Sequence, residues 1–217
     1  WHAFGPVGWI MSIEPADMND DGHVDILYSD RKGPQRGIHW LENPGRRTQD
    51  WMRHTIGGAD REVMFLSEGD LDGDRRKDIV CAVRGGDILW LRRLSVDGVQ
   101  WSSHAIAMPD NAGSGKGVAI CDVDNDFHAD VVFTCESAGG KHGVGWLSPS
   151  QDPTARDWSF HTISGDREGV KFDLIQLLDL DEDGDYDVLT CEERDNLGVI
   201  WYENPSASSR PADGPRQ

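Results

Sequence analysis

The sequence predicts an all-β protein built from four repeated units, and three observations lead to this prediction. Glycine, proline and tryptophan are frequent, with 25, 10 and 9 residues in a chain of 217. An aspartate-rich segment recurs four times, at residues 17–25, 70–78, 122–130 and 179–187. Short runs of β-branched and aromatic residues follow each segment, separated by turn-forming residues. Such repetition is typical of folds in which similar units pack side by side.

Each unit contains four strand-sized segments, labelled a to d, with strand a before the aspartate segment and strand b after it. Strand c contains a tryptophan, at Trp40, Trp90, Trp146 and Trp201. Three residues after a second tryptophan, strand d contains a histidine, at His54, His104 and His161. Because they recur at equivalent positions, we expect these side chains to pack the repeats rather than bind ligands. A four-stranded unit of about 50 residues predicts a β-propeller with four visible blades.

The two ends of the chain complement each other. Residues 1–4 match the end of strand d, with His2 at the histidine position, whereas the last unit ends with strand c near Tyr202. We therefore expect the N-terminal strand to pair with the last blade, closing the ring and leaving no sheet edge exposed. The alternative is a piece of a ring with more blades. The predicted propeller spans residues 1–205, and residues 206–217 are predicted to form a flexible tail.

Oxygen-rich side chains recur at fixed positions of the four aspartate segments. With positions numbered 1 to 9, the pattern D-x-[DN]-x-D-x-x-x-D suits Ca²⁺, a hard cation that takes about six to eight oxygen ligands. We expect the side chains at positions 1, 3, 5 and 9 to converge, joined by the carbonyl at position 7. The predicted ligands, for up to four Ca²⁺ ions with one per segment, are Asp17, Asn19, Asp21, Asp25, Asp70, Asp72, Asp74, Asp78, Asp122, Asp124, Asp126, Asp130, Asp179, Asp181, Asp183 and Asp187.

Position 6 distinguishes the segments, because the chain turns sharply there and glycine turns most easily. Gly22 and Gly184 occupy it in the first and fourth segments, but Arg75 and Phe127 occupy it in the second and third. We expect those two loops to bind metal more weakly or to bend differently. Aspartate-rich turns also cap hairpins without metal. Four in register, each with clustered carboxylates, favour a cation because like charges repel at short range.

These loops, the order of the strands and the Gly-Val-Ile-Trp-Tyr-Glu-Asn-Pro sequence at 198–205 resemble FG-GAP/VCBS-type repeats of calcium-binding β-propellers. The resemblance extends over nearly the whole chain. It implies the fold and the calcium sites, but propellers include lectins, lyases, dehydratases and adhesion modules alike. The sequence departs from the family pattern because it lacks the Phe-Gly-Gly-Ala-Pro phrase and shows only four repeats, where many relatives have more.

Composition restricts the partners and the compartment. The net charge of −18 excludes nucleic acid, since phosphate binding needs positive charge, and it disfavours anionic membranes. No apolar run approaches the roughly 20 residues that span a bilayer, so no membrane insertion is expected. The chain starts at Trp1 without a signal peptide and looks mature or excised, and a secreted, periplasmic or cell-surface location is predicted. The four cysteines are expected to be buried free thiols.

The end of the propeller opposite the aspartate loops is rich in charge. The loops between strands b and c and between d and a meet there, and ligands usually bind on that face. Lysine and arginine facing carboxylates suit an array of sugar hydroxyls or a uronate, although a solvated rim of salt bridges is the alternative. The candidate ligand-binding residues are Trp9, Arg31, Arg84, Lys116, Glu136, His142, Lys171, Asp173 and Glu192.

Two classes of function are compatible with these features, and a third is considered. The favoured hypothesis is a secreted, calcium-stabilised module that binds carbohydrate or another extracellular ligand, because G-x-S-x-G and H-E-x-x-H motifs are absent. The second is a metal-dependent sugar lyase or dehydratase at the central channel, similar to enzymes of the aldos-2-ulose dehydratase type. Lys116, Lys171 or His142 would then be the base, with Glu136 or Glu192 as acid or metal ligand. The third is a protein-docking scaffold, which predicts an exposed apolar patch.

Overall fold

The computed structural model describes residues 3–46 and 50–205. Within these ranges the chain forms fifteen β-strands, and no helix there is long and apolar enough to cross a membrane. The strands in chain order are β1 (Ile10–Ala16), β2 (Asp25–Asp30), β3 (Gly37–Glu42), β4 (Met52–Gly57), β5 (Val63–Gly69), β6 (Asp78–Val83), β7 (Ile88–Arg93), β8 (Trp101–Ile106), β9 (Ser114–Cys121), β10 (Asp130–Glu136), β11 (Val144–Ser148), β12 (Ser159–Thr162), β13 (Gln176–Leu178), β14 (Asp187–Glu192) and β15 (Gly198–Tyr202).

The strands form four antiparallel sheets in which neighbours in sequence are neighbours in the sheet. The first three sheets have the orders β1-β2-β3-β4, β5-β6-β7-β8 and β9-β10-β11-β12, and the fourth contains β13-β14-β15. Each aspartate segment forms the turn between the first two strands of its sheet. The predictions of an all-β chain and of four repeated units are confirmed, and the architecture is propeller-like.

Burial explains why the second strand of a sheet has a nearly unbroken apolar sequence. All six residues of β6 are buried, because this strand has a neighbour on each side within its sheet and also contacts β9 of the next sheet. The outer strands β4 and β12 contain only exposed and part-buried residues. A strand that is covered on both faces needs apolar side chains on both, whereas an outer strand does not.

Two apolar clusters fill the spaces between the sheets. One joins the first and second sheets around Leu27 and Trp40, and the other joins the second, third and fourth sheets around Trp90 and Phe133. The four cysteines are free thiols, as predicted, but only Cys81 and Cys135 are buried, whereas Cys121 and Cys191 are part-buried. Burial raises the pKa of the Cys81 thiol to about 12, so this side chain behaves as an apolar core residue.

The predicted strand pairing between the two ends of the chain is not observed. Ala3 and Phe4 lie outside any strand, and the Phe4 ring packs against Trp51, with ring centroids 4.9 Å apart. The sheets pack in chain order, first on second, second on third and third on fourth. Closure of the ring is therefore not shown. Residues 1–2, with His2, and the predicted tail at 206–217 lie outside the described residues.

The strand-c tryptophans differ in their packing. Trp40 and Trp90 are buried, and in the first three sheets a strand-d histidine packs against the tryptophan, as predicted. Trp201 is 44% exposed, so the expectation that it belongs to the core is wrong. Its sheet contains three strands in the described part of the chain, and the strand that bears the histidine elsewhere is missing from it.

Candidate metal loops and charged edge

The four aspartate loops share one pattern of hydrogen bonds. The carboxylate at position 1 accepts the N–H of position 6, from Gly22 to Asp17 and from Phe127 to Asp122, both at 2.9 Å. In the same way, the carboxylate at position 5 accepts the N–H of position 7. The side chain at position 3 accepts the N–H of position 5, so these bonds hold the side chains of positions 1, 3 and 5 together. In the second, third and fourth loops, their carboxylate oxygens lie within 4.8 Å of one another.

The backbone bends in the same way in all four loops. At position 6, φ is 84° for Gly22, 69° for Arg75, 72° for Phe127 and 100° for Gly184. The expectation that the second and third loops bend differently is therefore wrong. Arg75 and Phe127 adopt the left-handed conformation that favours glycine, which costs an ordinary residue about 1–2 kcal/mol. Position 4 is left-handed too, which the pattern did not predict, at Asp20, Gly73, Asn125 and Glu182.

The buried aspartate at position 9 fastens the first, second and fourth loops to the end of strand c. Asp25 accepts the N–H of Met18, at position 2, at 2.9 Å and that of Asn43, after the third strand, at 2.7 Å. Asp187 accepts the equivalent N–H groups of Leu180 and Asn204 at 3.1 and 2.8 Å. The sequence pattern predicted only metal binding for position 9. Its hydrogen bonds give it a structural role as well, because they tie the loop to the end of strand c.

The third loop contains a buried oxygen that a cation would satisfy. Asp130, at position 9, is 1% exposed, and its Oδ1 atom has no hydrogen-bond partner among the described residues. Burial, with a contribution from the charges of Asp124, Asp126 and Asp122, raises the pKa of Asp130 to about 7. A divalent cation beside these oxygens would offset the repulsion, and an all-oxygen donor set suits Ca²⁺. The residues present therefore fit the ion, and calcium binding itself stays a prediction.

Arginine side chains make the second loop different from the others. Arg92, in β7, forms ion pairs with Asp72 and, at 3.4 Å, with Asp74, which also pairs with Arg76. The Asp72 side chain is only 5% exposed. Within the described residues, the buried Oδ1 atom of Asp70 has no hydrogen-bond partner. Two of the three clustered carboxylates of this loop are thus already neutralised by the protein itself.

At the opposite end of the sheets, charged side chains connect the first three sheets. Arg31 donates from Nε and Nη2 to one Glu62 oxygen, at 3.1 and 3.0 Å. Arg84 lies between two carboxylates, 3.6 Å from Glu62 and 3.1 Å from Glu136. The hydrogen bonds from Arg31 lower the pKa of Glu62, so this carboxylate stays charged. The structure thus brings the predicted Arg31, Arg84 and Glu136 together through Glu62, and we call these four residues the charged row.

Trp9 lies at the beginning of the charged row, and hydrogen bonds fix its backbone. The carboxylate of Asp30 accepts the N–H groups of Gly8 and Trp9 at 2.7 and 2.8 Å, and the Trp9 carbonyl accepts the N–H of Arg31 at 2.8 Å. The guanidinium of Arg31 and the ammonium of Lys32 lie 4.9 and 5.4 Å from the ring centroid. The indole nevertheless stays 53% exposed. It is an aromatic surface in contact with both solvent and positive charge.

A second charged cluster joins the third and fourth sheets. Lys116, in β9, forms an ion pair with Asp173, and Lys171 forms one with Glu193. Burial raises the pKa of Asp173, whereas hydrogen bonds from Asp173 and Lys171 lower the pKa of Glu193. Glu192 was predicted as a ligand-binding residue, but the carboxylate that pairs with Lys171 is that of Glu193. The two side chains point to opposite sides because they are adjacent at a strand end, and only the structure shows which side faces the lysines.

Two predicted binding residues have other contacts. Glu192 is 2% exposed, and its carboxylate accepts backbone N–H groups, including those of Val170 and Lys171 at 3.1 Å and of Asp195 at 2.8 Å. It therefore fixes the loop around it. The His142 ring bonds to the hydroxyl of Thr162 at 2.8 Å, on the outer strand β12.

Repeated antiparallel sheets, each with an aspartate loop between its first two strands, define a β-propeller-like repeat protein. The chain belongs to the FG-GAP-like repeat family, because the profile of that family matches residues 17–81 and again 70–133. Each match contains two of the aspartate loops, and the second loop is part of both. A search of curated protein sequences returns no match to the chain.

Proposed function

We propose that this protein is an extracellular, calcium-stabilised binding module whose ligand is a carbohydrate. The observation that supports the proposal most directly is the position of the exposed Trp9 ring at the beginning of the charged row. Sugars bind through both kinds of group, since their C–H faces stack on aromatic rings and their hydroxyls bond to charged side chains that are held in place. The arginines of the row are already oriented by Glu62 and Glu136, so binding would not have to order them.

An open groove beside the charged row gives the ligand room. Its volume is about 770 Å³, and its lining includes Glu62, Arg84, Asp60 and Asp87. Small-molecule sites typically have volumes of roughly 300–1,000 Å³. Because both acidic and basic side chains line the groove, a hydroxyl-rich ligand fits it better than a polyanion does.

The metal loops support the extracellular part of the proposal. Loops of this kind in extracellular modules bind Ca²⁺ with dissociation constants of about 0.1–1 mM, which match calcium outside cells rather than inside them. A secreted, periplasmic or cell-surface protein meets this condition.

The test is binding to a glycan array in calcium, with Trp9→Ala as the main variant. We expect Trp9→Ala to lose at least tenfold in affinity for the glycan that the wild type binds, because the ring is a stacking surface. Trp201→Ala is the matched control, since its indole is similarly exposed but lies on the fourth sheet. A glycan bound equally by the wild type and both variants would show that the site lies elsewhere. Binding of a protein ligand but no glycan would favour the docking scaffold.

The second candidate function is a sugar lyase or dehydratase, and the cluster of Asp173, Glu193, Lys116 and Lys171 favours it. Two carboxylates whose pKa values move in opposite directions are typical of acid–base pairs. The ion pair with Glu193 raises the pKa of Lys171, so this lysine stays protonated and suits binding of an anion better than the predicted role of base. In this candidate function, Asp173 rather than Lys171 would be the residue that transfers a proton to or from the sugar.

The ultraviolet absorbance of unsaturated uronates distinguishes the two candidates. Uronate-containing polysaccharides are incubated with the wild type, with Asp173→Asn and with Trp9→Ala. New absorbance that disappears in Asp173→Asn identifies an eliminating enzyme. Glycan retention without new absorbance supports the binding module.

A further inference from the structure

Two arginines, one in the second aspartate loop and one in β7, pair with the carboxylates of that loop. Arg92 contacts both Asp72 and Asp74, and Arg76 contacts Asp74. Among the described residues, positions 1, 3 and 5 of the other three loops form no ion pair with lysine or arginine; the contacts there come from His23 and His128.

Comparison of the four repeats shows that only the second unit has an arginine at the position of Arg92. Arg92 lies two residues after Trp90 on strand c. The residues two positions after the strand-c tryptophan in the other sheets are Glu42, Ser148 and Glu203. None of these three residues has a positive charge that could pair with the aspartates of the loop in its own sheet. The second sheet therefore differs from its neighbours at the strand-c position from which Arg92 reaches the carboxylates.

We propose that the Arg92 guanidinium takes the place of the divalent cation in the second loop, so that the chain binds three calcium ions and not four. This inference rests on the proposed calcium binding by the other loops. A guanidinium and Ca²⁺ compete for the same oxygens, because the two cations repel each other at this distance and neither shares its ligands at low cost. Of the three clustered carboxylates, only that of Asp70 has no arginine partner among the described residues. A single carboxylate supplies at most two of the roughly six to eight oxygens that Ca²⁺ takes.

Counting bound ions by calorimetry and native mass spectrometry tests the proposal. We expect three Ca²⁺ ions in the wild type and four in Arg92→Gln, because the variant frees the buried Asp72 and leaves Asp74 paired only with the part-exposed Arg76. Arg156→Gln is the control, since it removes the same charge from an exposed pair with Asp87 and should keep three ions. Four ions in the wild type, or three in both the wild type and Arg92→Gln, would overturn the proposal.

A thermal melt in EDTA separates failure of this inference from failure of the proposed function. Without calcium, Arg92→Gln should melt at a lower temperature than Arg156→Gln, because it leaves the buried Asp72 carboxylate without its arginine partner. Added calcium should restore the melting temperature of Arg92→Gln more than that of the control. If the wild type binds no ion, the proposed calcium stabilisation fails, and the EDTA melt decides the role of Arg92. Equal melting of the two variants in EDTA would then overturn that role.

Discussion

The imidazole of His161 lies nearly flat on the indole of Trp146, with ring centroids 3.9 Å apart and an angle of 11° between the rings. The two residues face each other directly across β11 and β12. Trp40 and His54 form the same pair in the first sheet, at 4.2 Å and 16°. The recurring histidine thus covers the tryptophan of the preceding strand and attaches the outer strand to its sheet.

Removal of this stacked ring should loosen the outer strand. We expect His161→Ala to lower the free energy of unfolding by about 1 kcal/mol, because a directly opposed aromatic pair is lost. Urea titration followed by tryptophan fluorescence measures the change. Ser159→Ala, at an exposed position of the same strand, should have little effect. Equal loss in the two variants would show that the stacking contributes nothing of its own.

The two kinds of aspartate loop should respond differently to calcium. Asp181→Asn should lose one ion and leave the melt in EDTA unchanged, because Asp181 is exposed in the fourth loop. Asp72→Asn should lower stability even in EDTA, by roughly 1–3 kcal/mol, since it removes a buried partner of the part-exposed Arg92. For the wild type, calcium at about 100 times its dissociation constant should add about 2.7 kcal/mol per occupied loop. A wild-type melt unaffected by EDTA would contradict calcium binding by the first, third and fourth loops.

The contribution of Glu14 to the free energy of unfolding should fall as the pH rises from acid to neutral. Burial, with a contribution from the charge of Glu68, raises the pKa of Glu14 from 4.5 to about 7. The unfolded chain releases this proton first, so the folded state loses stability as pH rises from 4.5 to 7. Glu14→Gln should therefore stabilise the protein near pH 8, by roughly 1–2 kcal/mol once the screening of the Glu14 charge by solvent is taken into account. Near pH 4 the substitution should have almost no effect. The exposed Glu168→Gln is the control, and equal pH profiles would exclude the effect.

Glycine should suit position 6 of the third loop better than phenylalanine does. Phe127 is 96% exposed and has a φ of 72°. Phe127→Gly should raise stability by about 1 kcal/mol, because relief of the left-handed strain exceeds the entropy that glycine adds to the unfolded chain. It should also tighten calcium binding by that loop. Phe127→Ala removes the ring but keeps the Cβ atom and so the backbone strain. The same gain in this variant would show that loss of the ring, and not relief of strain, is the cause.

Periodic features were predictable from the sequence, and contacts between distant residues were not. The loops, the order of the strands and the Trp146–His161 type of pair follow from positions that recur in each repeat. The ion pair of Arg92 with Asp72 joins residues 20 positions apart in a single repeat, so no periodicity reveals it. The choice of Glu193 over Glu192 depends on the direction of a side chain at a strand end. Ring closure was inferred from the phase of the two ends, which does not determine where residues 1–4 lie.

Because hydrogen bonding within each sheet joins consecutive strands, the chain can fold one sheet at a time as it leaves the ribosome or a translocation channel. The second and third sheets are packed between two neighbours, whereas the first and fourth pack on one sheet each in the described structure. Cooperativity is then limited to adjacent units, and the protein should open progressively from its ends. Amide hydrogen exchange would be slowest in β6 and β10 and fastest in β4 and β15.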